Sequence, residues 1–221
     1  MAKAGFDGSF PILKREGLGN WLDKSSYLEL VRSLESLPVP IRKLFGFNLR
    51  DITYSYSWLF SGPPMSAFVD DNLMRDRSSM IIIYDGAKKF GFVKLLVHEL
   101  SHTLDVHSYP EMIGVVPKDH FPDWLIRSAD DRHWKDILKS ESLPTELTRY
   151  NRAWAYRPSE QWACRMAATI AVDYLVSAGL VPGNNIVMDR KLSADKFKSR
   201  WPKSYRFFRS YLKRILAHAP K

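Results

Sequence analysis

Apolar positions along this chain recur in two rhythms, and each rhythm predicts a different element. Phe92, Leu95, Leu96, Leu100 and Leu104 fall three or four residues apart and predict a core-packed helix. A second helical run starts behind Pro158 and Ser159 and continues through Trp162, Ala163, Met166, Ile170, Val172 and Leu175. Proline and serine at its head are a start signal, and Gly179 closes it. Residues 21–36 carry Leu22, Leu28, Leu30, Val31 and Leu34 in the same helical pattern, stopped by Pro38 and Pro40. Residues 49–60 instead alternate through Ile52, Tyr54, Tyr56, Trp58 and Phe60, as a half-buried strand does. The run Met80-Ile81-Ile82-Ile83, within residues 78–86 and ended by Asp85-Gly86, is the clearest strand of all. Residues 107–123 contain Pro110, Gly114, Pro117 and Pro122 and read as a loop at the rim of a cleft. Residues 123–139 are charged, aromatic-rich and helical in part, and a turn at 181–185 precedes a terminal helix.

Inside the first helix stand His98-Glu99-Leu100-Ser101-His102. Positions four apart share a helix face, so His98 and His102 can present ring nitrogens to one metal ion. Glu99 is then placed to hold a water and take its proton. Two histidines on an apolar helix need a reason, and a hydrolytic zinc centre supplies one. Such a centre usually has three protein ligands. His107 lies nine residues after His98 and is not followed by the spacing that would make it the third; a surface histidine on a weakly helical tail accounts for it. Asp105 is placed to accept a hydrogen bond from a ligand imidazole and fix its tautomer. Glu160, at the head of the second helix, is the strongest third ligand, although the helix dipole alone also favours a glutamate there.

Four stretches together carry a family resemblance. They are His98-Glu99-Leu100-Ser101-His102-Thr103-Leu104-Asp105, Leu147-Thr148-Arg149-Tyr150-Asn151-Arg152, Glu160-Gln161-Trp162-Ala163 and Trp201 through Phe208. In that order they resemble the catalytic domain of zinc metallopeptidases of the anthrax lethal factor type, a gluzincin group that includes the Pro-Pro endopeptidases. The resemblance spans residues from about 80 to the C-terminus and does not reach residues 1–75. It implies zinc on His98, His102 and Glu160, one ion per chain, with Glu99 as general base. It also implies a tyrosine that donates to the oxyanion. Tyr150 matches by local sequence, whereas Tyr156 stands closer to Glu160, and both stay open.

The expected fold is α+β and zincin-like, one domain over residues 1–221. A small twisted sheet would pack on the HExxH helix, with a mainly helical C-terminal lobe holding Glu160. The resemblance implies that a strand in the region of residues 78–86 lies along the cleft and pairs with an extended peptide substrate, while Met80-Ile81-Ile82-Ile83 would suit a central core strand equally well. The expected activity is zinc-dependent endopeptidase, and a toxin or host-directed effector is what the resemblance implies about setting. Two other classes fit parts of the chain: a zincin scaffold that binds without cleaving, and a DNA-associated protease using basic charge.

Composition narrows this only in places. With 45% hydrophobic residues the chain can bury a sizeable core, and no run of 18 apolar residues marks a membrane span. The N-terminal residues lack the apolar stretch of a secretory signal. The single cysteine, Cys164, leaves no internal disulfide framework and reads as a small core residue. Net charge is +9, concentrated toward the end of the chain, where cations alternate with aromatics from Trp201 to Leu212. A docked amphipathic helix with a solvated basic face explains the pattern; an anionic partner is the functional alternative.

Overall fold

The computed structural model describes residues 12–15, 24–45, 49–55, 67–70, 79–84, 91–108, 121, 123–128, 131–141, 157–187 and 192–218. Strand β1 (Ile12–Arg15) is followed by helices α1 (Lys24–Ser36) and α2 (Val39–Phe45). Strands β2 (Leu49–Ser55), β3 (Ala67–Asp70) and β4 (Ser79–Tyr84) precede helix α3 (Phe92–Thr103). Helices α4 (Asp123–Ser128), α5 (Asp131–Ser140), α6 (Pro158–Ile170), α7 (Ala194–Arg200) and α8 (Pro202–Ala217) complete the order. The described buried apolar residues form one cluster. No helix among the described residues is long and apolar enough to cross a membrane.

Helix dominates the described residues, and this corrects the expected α+β fold built on a small sheet. The physical reason lies in element length. The longest helix has 16 residues against seven for the longest strand, and the three strand residues whose burial is described, Ile52, Ile81 and Ile83, are all fully buried. The strands are four to seven residues long and pair in the order β1-β2-β4-β3. The pairs β1–β2 and β2–β4 are parallel, so the chain must cross over between them, and α1 and α2 lie in the first crossover. Strands and helices are thus interleaved there, which is not the segregation an α+β fold implies.

The same order decides between the edge and the central position that the run at residues 78–86 left open. Ser79–Tyr84 is interior, flanked by β2 and by β3, which pairs with it antiparallel. The edge nearest the HExxH helix is β3, since α3 packs against both β3 and β4. The run Met80-Ile81-Ile82-Ile83 suits an interior strand, since both its edges are paired and Ile81 and Ile83 are fully buried.

Helix–helix packing then carries α3. It lies against α6 and α1, and α6 in turn lies against α8, which also touches α2, α4 and α5. The terminal helix is docked as its pattern predicts: Phe207, Phe208, Tyr211, Leu212 and Ile215 are buried and its cations are exposed. Past Ile170 the backbone widens into a π-helical turn at Ala171–Leu175, with Val176 N–H reaching the Ala171 carbonyl at 3.0 Å. Gly179, at φ +70°, ends the run as expected, because a left-handed residue there turns the chain without a Cβ penalty.

Candidate metal site on helices α3 and α6

Helix α3 buries almost every residue it has. Leu95, Leu96 and Leu100 are fully covered, and His98, Glu99 and His102 are each only 5% exposed. Burying three ionisable groups on one helix is costly unless they pair or bind an ion. The two imidazoles meet edge to face, ring centroids 4.9 Å apart.

Opposite them stands Glu160. Pro158 opens α6 after an extended Arg157, so Glu160 falls in the first turn, where the helix dipole favours a carboxylate. Its carboxylate spans both histidines: Oε2 lies 3.5 Å from His98 Nε2 and Oε1 lies 3.3 Å from His102 Nε2. The sequence-predicted trio of His98, His102 and Glu160 is therefore brought together, with Glu99 buried alongside. At 3.5 Å the first of these contacts is ionic, and Glu160 Oε2 accepts no hydrogen bond although the residue is 6% exposed. A buried carboxylate oxygen in that state fits a site that takes a cation.

Cys164 is a member of the site that the sequence reading placed in the core. It is half-buried, one helical turn after Glu160, with Sγ 4.0 Å from His98 Nδ1. His98, Glu160 and Cys164 offer ligand atoms that all lie within 4.8 Å of one another, close enough to hold a metal ion. The Glu160–Cys164 spacing repeats the four-residue spacing of His98–His102, and that was the one sequence signal available. The two candidate ligand sets share His98 and Glu160 and differ in His102 against Cys164. His98 turns Nε2 toward Glu160 and Nδ1 toward Cys164.

Electrostatics follow from this crowding. Burial works against charge on His98, but the contacts to Cys164 and Glu160 outweigh it and raise its pKa well above the usual value. Burial likewise opposes charge on His102, and the Glu160 carboxylate overcomes it and raises its pKa. Burial would push Glu160 up, yet His102 and His98 together pull it down to about 2. Glu99 moves the other way: burial raises it, against the charges of His98 and His102. A carboxylate made more basic this way is better suited to accept a proton.

Two other expectations are corrected. Asp105 does not accept from a ligand imidazole; its Oδ1 takes the backbone N–H groups of His107 at 3.1 Å and Ser108 at 2.8 Å. It closes the turn after α3, and burial pushes its carboxyl up to about 7. His107 is not a surface residue, being half-buried with its ring edge-on to Trp162 at 6.4 Å. Tyr150 and Tyr156 lie outside the described residues, as does most of the 107–123 loop.

The walls that hold the site come from α5 and α8. Trp162 is fully buried among Trp134, Phe208 and Tyr211, with ring centroids 5.0 to 5.3 Å from its own. The Tyr211 hydroxyl donates to the Leu104 carbonyl at 2.8 Å, fixing the end of α3 to α8. On α6, Arg165 donates to Ser204 Oγ at 2.7 Å, to Gln161 Oε1 at 3.1 Å and to the Glu141 carbonyl. The Glu141 carboxylate accepts the N–H groups of Lys203 at 2.7 Å and Ser204 at 2.9 Å, capping the start of α8. This clasp joins the end of α5, the helix bearing Glu160 and the terminal helix.

Comparison of the chain with protein-family models, with curated proteins and with solved structures finds no match.

Proposed function

We propose that this protein is a zinc-dependent endopeptidase of the lethal-factor-like gluzincin type, with His98, His102 and Glu160 as ligands and Glu99 as general base. One observation carries the reading. Atoms bound tetrahedrally to zinc at about 2.0–2.2 Å stand about 3.3–3.6 Å apart. The nitrogen–oxygen separations across this site are 3.5 and 3.3 Å. The alternative set through Cys164 is looser, at 4.0 Å.

Zinc bound there would acidify a water and polarise the scissile carbonyl. The chain's own residues do the rest. Glu99 accepts the proton of the attacking water and passes it to the departing amine. His98 and His102, held on a buried helix face, fix the direction of attack. Tyr150, with Tyr156 as its competitor, donates to the oxyanion. The substrate is a peptide bound extended along the cleft, and β3 is the strand edge beside α3 that would receive it. A toxin or host-directed effector remains the setting the resemblance favours. Cleavage of a mixed peptide library, abolished by a chelator and restored by zinc, tests the activity. Zinc binding without cleavage would move the reading to a binding scaffold.

Cys164 gives a separate prediction. In the proposed arrangement its sulfur sits behind His98 and accepts from Nδ1–H. Cys164→Ala then weakens zinc affinity by about 10- to 100-fold, the usual loss for such a partner. The cobalt-substituted wild type shows no thiolate-to-cobalt charge-transfer band. An intense band that disappears in Cys164→Ala would make Cys164 a ligand and displace His102.

Acid should oppose the metal. Zinc requires both imidazoles neutral, and Glu160 makes both harder to deprotonate, so binding expels protons and weakens as pH falls. Without metal the signs reverse. Raised histidine pKa values stabilise the fold below the ordinary 6.5, and that gain is lost as pH rises through the folded values. The lowered Glu160 stabilises it above the ordinary 4.5, and that gain is lost as pH falls toward about 2. The metal-free cluster therefore helps most between pH 4.5 and 6.5. Thermal melts with and without zinc should show a zinc-induced rise that is larger at about pH 8 than at about pH 5.5.

A further inference from the structure

The charge of this protein is unevenly placed. Residues 192–218 hold eight Lys and Arg against Asp195 alone, which leaves 25 basic and 23 acidic residues elsewhere. Most of the net +9 therefore belongs to α7 and α8. From α7 come Lys196, Lys198 and Arg200, all exposed. From α8 come Lys203, Arg206, Arg209, Lys213 and Arg214, also exposed. At helical spacing these last five fall within one side of α8, along a helix about 24 Å long. The opposite side is buried against the aromatic core, so the cations cannot rotate away from solvent.

Among the described residues, few acids answer this face. Asp195 pairs loosely with Lys198 at 3.9 Å, and Asp173 takes Arg209 at 3.4 Å and the Tyr205 hydroxyl at 2.6 Å. Glu141 is spent on the backbone at the buried start of α8. Four cations of α8, namely Lys203, Arg206, Lys213 and Arg214, keep their charge directed outward.

We propose that the α7–α8 face is a docking surface for an anionic membrane leaflet. The aromatics of the segment are buried or already engaged: Phe197, Trp201, Phe207, Phe208 and Tyr211 are buried, and the half-buried Tyr205 is tied by its hydroxyl to Asp173 with Arg209 over its ring at 5.9 Å. Stacking platforms for single-stranded nucleic acid are therefore absent from the described face. The exposed large hydrophobics among the described residues, Leu28 and Val39, lie on α1 and α2 rather than here. Attachment is thus by charge without apolar insertion. The cations come from two adjoining helices and are all exposed, which suits an extended sheet of headgroups. Polybasic surfaces of this kind bind acidic leaflets additively, are screened by salt and release reversibly. The exposed side chains of this surface take no part in the zinc site; Lys203 enters the clasp only through its backbone N–H, which a side-chain substitution keeps.

Cosedimentation of the full chain with phosphatidylserine–phosphatidylcholine vesicles tests this, against pure phosphatidylcholine vesicles and duplex DNA. The expected result is binding to the acidic vesicles only, falling steeply as salt is raised. The combined variant K203Q, R206Q, K213Q and R214Q should bind at least about 100-fold more weakly. Its circular dichroism and cleavage of soluble peptides should stay unchanged. Should the variant fail to fold, the salt titration of the wild type decides. Equal binding to neutral vesicles, unchanged binding by a folded variant, or tighter binding to DNA at the same ionic strength would overturn the proposal.

Discussion

Glu99→Gln lowers peptide cleavage by about a hundred- to ten-thousand-fold, while zinc content stays at the wild-type level. The substitution keeps the volume and a hydrogen-bonding amide in a position that is only 5% exposed, so α3 is not disturbed. What is lost is the ability to take a proton. Glu99 flanks His98 on the helix and is not among the groups that converge on Glu160. Metal retention with catalysis lost is thus the signature of a base, and metal lost together with catalysis would be the signature of a ligand. Zinc analysis and steady-state kinetics on the same preparation separate the two. The loss should appear in kcat more than in KM, because proton transfer belongs to the transition state.

Glu141→Ala is the second large effect, and it acts on stability. Glu141 is 7% exposed and Arg165 is 2% exposed, and their closest charged atoms are 3.8 Å apart. Removing the carboxylate strands a buried guanidinium and uncovers the N–H groups of Lys203 and Ser204. Breaking a buried pair in this way costs about 3–5 kcal/mol. For a chain of this size that is a fall of roughly 10 °C in the thermal midpoint. Arg165→Met in the same background should restore part of the loss, since the uncompensated charge is what costs most. Because the clasp also holds α6, zinc affinity should weaken in Glu141→Ala though no ligand has changed. Denaturant unfolding and a zinc titration on the single and double variants would show it. Wild-type stability in Glu141→Ala would mean that the clasp is not what anchors α6.

What the sequence revealed follows from how local each signal is. His98, Glu99 and His102 were legible because four-residue spacing on a helix fixes their common face without any knowledge of the rest of the fold. Glu160 was legible as the first-turn acid of a helix with a clear start, although its meeting with two histidines some sixty residues earlier was an inference. Cys164 was misread because its neighbour His98 is distant in sequence and only the packing of α3 on α6 brings them together. Asp105 was misread for the opposite reason. The nearest donors, the amides of His107 and Ser108, captured its Oδ1 before any imidazole could. Glu141 gave no signal at all, because its partners, Arg165 and the start of α8 at Lys203 and Ser204, are all remote in sequence. The β-branched run Met80–Ile83 was seen as a strand, but whether a strand lies inside a sheet or at its edge depends on its neighbours. The balance of helix and sheet was misjudged for a related reason: short strands are conspicuous in sequence, yet the described helices are longer and more numerous.

The central claim is that His98, His102 and Glu160 hold one zinc ion. Metal analysis of the purified chain, beside Glu160→Ala, tests it most directly. The account predicts one zinc per wild-type chain and a strongly weakened, substoichiometric content in Glu160→Ala. A wild-type chain that takes up no zinc, or a Glu160→Ala chain that holds it fully, would contradict it.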